Sequence, residues 1–245
     1  MNINKISKQF SSESGFNMSL INDLSFEIPE GKRTSFLAPF GSGKTTLLKI
    51  IAGLELASGG AINPPSGEIS VYIPSAPVSL PWFNVTENFS LVSEDQGLKN
   101  EIIKLLELEG YEKHYPDNRS HGFRFLVALG MALLSGKKMI LLDDSLNGLS
   151  DPMKLRIAMI LDKIVELKKI TVVYATSSLS DAVLFSDRVI AMKGNPLSVL
   201  KVIELPGIEK ESETVSGSKS IDEAKKQIVD LYSSFDIGKV INLSF

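Results

Sequence analysis

The sequence contains no cysteine, and this excludes a disulfide framework, thiol catalysis and cysteine-ligated zinc together. Histidine is nearly missing as well. His114 and His121 are the only two, too few for a multi-histidine metal site. Strong charge of one sign is lacking: the formal net charge is −3, so no basic face is implied and no nucleic-acid partner is expected. No uninterrupted apolar run approaches the ~18 residues that read as a membrane-spanning helix. The opening MNINKISKQF has no apolar core of the kind a secretory signal needs. These absences point to a cytoplasmic protein that remains free to dock on a membrane partner.

What is present suits a folded enzyme or binding module. The chain has 245 residues, 43% apolar and 22% charged, enough for one domain of two lobes or two small domains around a real core. SLINDLSFEI alternates apolar and polar residues like a half-buried strand, and TSFLAP is a short buried-strand run. Pro29, Glu30 and Gly31 mark the turn between them. TTLLKIIAGL then suits a mostly buried helix carrying Leu47, Leu48, Ile50, Ile51 and Leu54. Residues 57–68 read as a turn-rich connection, and EISVYI as a strand.

Residues 84–135 read as helical in three pieces. The first has Asn84 as cap and Glu87 closing a capping box, the second is KNEIIKLLELEG ending at Gly110, and the third opens at Ser120. MILLDD and ITVVYAT are strands of the doubly buried kind, with a helix from Asp151 between them. RVIAM and VLKVIEL around GNP make a hairpin. Residues 208–220 read as a linker, and IDEAKKQIVDLYSSF as an amphipathic helix that either packs back on its own domain, the commoner case, or makes a dimer contact.

The chemistry begins at residues 38–46, APFGSGKTT. A phosphate loop needs glycines so that successive backbone N–H groups can turn inward around an anion, a lysine to reach the β- and γ-phosphates, and a Ser or Thr hydroxyl for Mg²⁺. Gly41, Gly43, Lys44 and Thr45 fill these places, Thr46 adds a hydroxyl, and the following helix aims its N-terminus at the anion. Ala38 stands where the usual pattern has glycine, which is tolerable only if its φ is negative. MILLDD supplies the partner strand. An acid at the C-terminal end of such a strand can hold Mg²⁺ through water, and Asp143 is the candidate.

On these residues the chain resembles the ATP-binding subunits of ABC transporters from about residue 3 to 207. APVSLPWFNVTENFSL and the closing hairpin look like the nitrate, sulfonate and taurine importer group. The resemblance implies an α/β fold: a P-loop NTPase, RecA-like core with an N-terminal antiparallel β subdomain and an inserted α-helical subdomain at about 84–133. It implies bound ATP and Mg²⁺, membrane permease subunits as partners, and a head-to-tail homodimer or heterodimer in which one subunit's phosphate loop faces the other's signature loop. It implies a position on the inner face of the cell membrane.

Residue by residue, the resemblance puts the adenine-stacking aromatic at Phe10 and the phosphate cradle at Pro39, Phe40, Gly41, Ser42, Gly43, Lys44, Thr45 and Thr46. The metal falls to Thr45 and Asp143. Asp144 takes the catalytic glutamate's place, Ser75 the glutamine's, Ser177 the switch histidine's, and Ser150 that of a loop aspartate. Of the signature loop only Ser120 and Gly122 match, with His121 where a glycine is usual and Arg119 and Arg124 as flanking cations. Asp144 is one methylene shorter than glutamate. Ser177 lacks a charged imidazole, and Ser75 is too short for a glutamine's reach.

Two functions follow as expectations. One is the ATPase subunit of an importer for a small solute. The other is a nucleotide-holding module, impaired in hydrolysis, that pairs with a more complete ATPase subunit. A different phosphate-loop enzyme is disfavoured, because no Asn-Lys-x-Asp guanine reader occurs and the few arginines do not cluster.

Overall fold

The computed structural model describes residues 1–11, 17–63, 70–77, 79–117, 120–205 and 219–234. Much of the expected linker lies outside these residues, as do Arg119 and Phe235.

A six-stranded sheet forms the centre, in the order β5-β6-β7-β3-β8-β9. These strands are β3 (Arg33–Leu37), β5 (Ser70–Ile73), β6 (Met139–Asp143), β7 (Thr171–Thr176), β8 (Arg188–Lys193) and β9 (Ser198–Glu204). The pairs from β5 to β8 are parallel, and β8 pairs with β9 antiparallel as the expected hairpin. Burial on both faces explains the continuous apolar runs of β6 and β7. Ile140, Leu142, Val172 and Tyr174 point to one core, and Met139, Leu141, Val173 and Ala175 to another. This is the period-2 alternation that a two-faced strand requires.

The first of those cores holds the helices α2 (Val85–Ser90), α3 (Gln96–Leu105), α4 (His121–Leu134) and α5 (Asp151–Lys168). The Asn84–Glu87 capping box forms, and Ser120 caps α4. The second core holds α1 (Lys44–Ile51) and a separate antiparallel sheet, β2-β1-β4, made of β1 (Asn2–Ser11), β2 (Asn17–Glu27) and β4 (Gly59–Asn63). A third, smaller core lies where α6 (Leu179–Leu184) and α7 (Lys219–Ser234) cover β3 and β8.

Tyr232 of α7 is fully buried there. Its hydroxyl donates to the Leu37 carbonyl at 2.6 Å and accepts from the Met192 N–H at 3.0 Å. The amphipathic helix thus packs on its own domain, against the ends of two strands.

Three expectations need correcting. Residues 57–68 are not only a connection, because β4 pairs with β1. β4 shows no apolar pattern, being exposed, and its Gly60 lies where an added Cβ would come within 2.3 Å of the Lys5 carbonyl oxygen. Leu54 lies beyond the end of α1 and is exposed, since the chain turns at Gly53 with φ +72°. The second helical piece stops at Leu105 rather than running to Gly110, and Glu107 adopts a left-handed φ of 55°. The six-residue α6 had no signal long enough to read. Among the described residues no helix is long and apolar enough to cross a membrane.

Candidate nucleotide-binding site

β3 and β6 end side by side across β7, and both chains leave the sheet at the same edge. The Ala38 N–H donates to the Thr176 carbonyl at 3.2 Å and the Asp144 N–H to the Ala175 carbonyl at 3.0 Å, so β7 fixes both exits. From β3 the chain turns through Gly41 (φ 71°) and Gly43 (φ 102°) into α1. An added Cβ on Gly43 would also meet the Leu20 side chain at 3.0 Å, so only glycine fits there. Ala38 is not among the residues with positive φ, which is why a methyl group is tolerated at that place.

The turn encloses a cavity of about 290 Å³ lined by Leu20, Phe40, Gly41, Ser42, Gly43, Lys44, Thr45, Thr46 and Asp144. The Lys44 ammonium donates to the carbonyls of Ala38 (3.0 Å) and Pro39 (2.9 Å). Burial lowers its pKa, opposed by the attraction of Asp144 and Asp143. Burial likewise raises the pKa of Asp144, against the pull of Lys44 and with the help of Asp143. One oxygen of Asp144, Oδ1, and the Ser42 hydroxyl are buried without a partner. Asp144 also adopts a φ of 49°, a conformation an aspartate tolerates better than most residues.

Asp143 is 5% exposed, and each of its oxygens accepts from a hydroxyl: Oδ1 from Thr45 at 3.0 Å and Oδ2 from Tyr72 at 2.6 Å. Among the described residues no three or more acidic or histidine side chains are placed so as to hold a metal ion together. A carboxylate bonded to a cavity-lining hydroxyl is the setting that suits Mg²⁺, which takes one or two carboxylates and completes its shell with water and substrate phosphate. The donor set therefore fits Mg²⁺ held on a nucleotide.

The other sequence candidates lie apart. Phe10 is half-exposed on β1, with the Lys8 ammonium 4.9 Å from its ring centroid, and is not part of the cavity wall. Ser75 is exposed and Ser177 half-buried, and neither lines the cavity. Ser120 and Gly122 sit at the start of α4. Ser120 accepts from the Phe123 N–H at 3.4 Å and borders a second groove of about 350 Å³ with Phe123, Met153 and Arg156. Beside them His121 donates from Nε2 to the Ser145 carbonyl at 2.9 Å, tying the start of α4 to the loop that follows Asp144. Trp82, in the segment that carried the resemblance, is 66% exposed.

Sequence reasoning missed Leu20 and Tyr72. Leu20 arrives from β2, 20 to 26 residues before the loop residues it faces across the cavity, and nothing local marks it. Tyr72 was readable as a strand residue, but its contact with Asp143 depends on how β5 and β6 are aligned.

The family model described as ABC transporter matches residues 21–147. An aliphatic sulfonates import ATP-binding protein of Bacillus cereus is 30% identical over 258 residues, covering 100% of this chain and 99% of that protein. A sulfate/thiosulfate import ATP-binding protein, also from Bacillus cereus, is 31% identical over 211 residues, covering 78% of this chain and 58% of that protein. In fold, the chain is similar to a dimeric structure of the ATP-binding cassette MJ0796 in a post-hydrolysis state with ADP and Pi. The TM-score is 0.70 at 23% identity, covering 84% of this chain and 99% of that one.

Proposed function

We propose that this chain, which belongs to the ABC transporter family of ATP-binding proteins, is the ATPase subunit of an importer for a small solute. The observation that carries this is convergence. The phosphate-loop lysine, Thr45 and the half-buried Asp144 line one cavity of about 290 Å³, and Asp143 stands behind Thr45, bonded to its hydroxyl. The full-length similarity to sulfonate import proteins makes an organic or inorganic sulfur anion the first solute class to test.

In this reading the backbone N–H groups of the loop and the N-terminus of α1 receive the β-phosphate of ATP. Lys44 exchanges its two carbonyl partners for phosphate oxygens, which are better acceptors for an ammonium. Thr45 and Asp143 would hold Mg²⁺, Asp143 through a water. When bound, the metal supplies positive charge against the charge that builds on the phosphate oxygens. Asp144 accepts the proton of the attacking water. The raised pKa that burial gives it moves it in the direction a general base requires. A second cassette brings the start of its α4 over this cavity, and closure of the pair drives a membrane permease on the cytoplasmic face. Residues 1–207 form the cassette, with the helical subdomain at about 84–133.

A second reading, a partner subunit that binds ATP but turns it over slowly, is favoured by one observation. The residues at the signature-loop and glutamine positions are engaged elsewhere or exposed: His121 on Ser145, and Ser75 in solvent. Mg-ATP turnover of the purified protein at high concentration decides between the readings, with Lys44→Ala as control. Turnover that Lys44→Ala abolishes supports the motor. Lys44-dependent ATP binding without turnover supports the partner subunit.

A further inference from the structure

Asp143 holds two hydroxyls, and the two are not equivalent. Thr45 lines the nucleotide cavity, and its hydroxyl is the one assigned to Mg²⁺ above, so its bond to Oδ1 ends when the metal arrives. Tyr72 does not line that cavity, and nothing in the nucleotide reading calls its hydroxyl away from Oδ2.

The arrangement follows from strand register. β5 pairs with β6 in parallel, with Tyr72 opposite Leu141. Leu141 and Asp143 share one face of β6 because side chains repeat every two residues. Tyr72 lies on that same face one strand away, and its long ring spans the two-residue offset to place its oxygen 2.6 Å from Oδ2.

We propose that Tyr72 is a positioning residue for the metal. It pins one oxygen of Asp143 so that the other is presented to the metal's water, in a role that rests on the nucleotide-binding reading above. A carboxylate held at one oxygen by a short, charge-assisted hydrogen bond loses its freedom to rotate. Once Thr45 turns to the metal, Oδ1 is the open acceptor and already faces the loop. Ser75, three residues further along the same segment, is exposed and takes no part in this contact. Groups that orient a metal ligand from behind are worth roughly 10- to 100-fold in metal affinity when removed.

The test separates metal from nucleotide. A fluorescent, non-hydrolysable ATP analogue is titrated in EDTA to give metal-free nucleotide affinity. Mn²⁺ is then titrated into the analogue complex and followed by its paramagnetic resonance signal. Tyr72→Phe should weaken Mn²⁺ binding about 10-fold while leaving analogue affinity in EDTA unchanged. Tyr72→Met also lacks the donor and must reproduce the shift if the phenylalanine variant fails to fold. Mn²⁺ affinity within about twofold of the parent protein would overturn the proposal, as would an equal loss of analogue affinity in EDTA. Absence of any Lys44-dependent analogue binding in the parent protein would overturn both the proposal and the reading beneath it.

Discussion

At residues 38–46 the chain turns into α1 around an open cavity; Lys44 and Thr45 bond within the site, but the Ser42 hydroxyl and one oxygen of the neighbouring Asp144 are buried and unpartnered. At residues 120–124 it turns into α4 and uses its polar groups on itself. Ser120 caps the helix, His121 reaches the Ser145 carbonyl, and Gly122 leaves just the space that Met153 fills, 3.0 Å from where a Cβ would sit. Unsatisfied buried polar atoms are costly in a folded chain, and beside a cavity they are groups whose bonding a ligand can complete. A helix start whose bonds are already made offers no such groups. By this measure the first turn is left open to a ligand, while the second spends its polar groups on folding.

The largest effect that sharpens the contrast is at Lys44. Lys44→Ala should weaken ATP binding by at least about 100-fold, because a buried, charge-assisted contact to phosphate is lost. A titration with fluorescent nucleotide checks this, and near-normal affinity would break the comparison at its stronger end.

Next comes Asp144→Asn. It should cut turnover about 100-fold while leaving ATP affinity intact, the pattern of a group that acts only in the chemical step. The same residue predicts a pH dependence. Its folded pKa is raised by burial, so the base form is lost on acidification at a pH above the ordinary carboxylate range, and turnover of the parent protein should fall there. The sign for stability is opposite. Ionised Asp144 burdens the fold as pH rises through its folded pKa, so Asp144→Asn should melt higher than the parent at neutral pH. The two should converge in acid, where the parent carboxyl is protonated. Thermal melts of the two proteins across pH give the answer.

At the α4 end effects are smaller and of a different kind. His121→Ala should cost about 1 kcal/mol of stability, the usual worth of one hydrogen bond, and leave the ATP affinity of the isolated subunit within twofold. An affinity change above tenfold with no change in melting temperature would put His121 on the nucleotide and erase the distinction. Smallest of all is Ser75→Ala, an exposed change that should stay within about 0.5 kcal/mol in a denaturant melt.

The phosphate loop was legible because its chemistry is local. Nine consecutive residues specify glycines, lysine and hydroxyl in the order the anion meets them. Asp143 and Asp144 were legible because an apolar strand ending in acids has few other uses beside such a loop. Leu20 and Tyr72 were not, since each reaches the site from another strand by register alone. β4 was hidden for the reverse reason: an exposed, glycine-bearing strand lacks the apolar alternation that betrays its neighbours. The resemblance placed His121 in a signature loop, but its hydrogen bond to Ser145 joins residues 24 apart in sequence and could be seen only once folded.

The hydroxyl of Tyr232 rests on the carbonyl of Leu37, the last residue of β3 before the phosphate loop begins, across a separation of 195 residues. A ribosome adding roughly 5–20 residues per second needs about 10–40 s to cover that distance. Throughout that time the loop's glycines, lysine and threonine already exist, but the support beneath them does not. The part of the chain most recognisable on paper is therefore among the last to acquire its finished floor during synthesis.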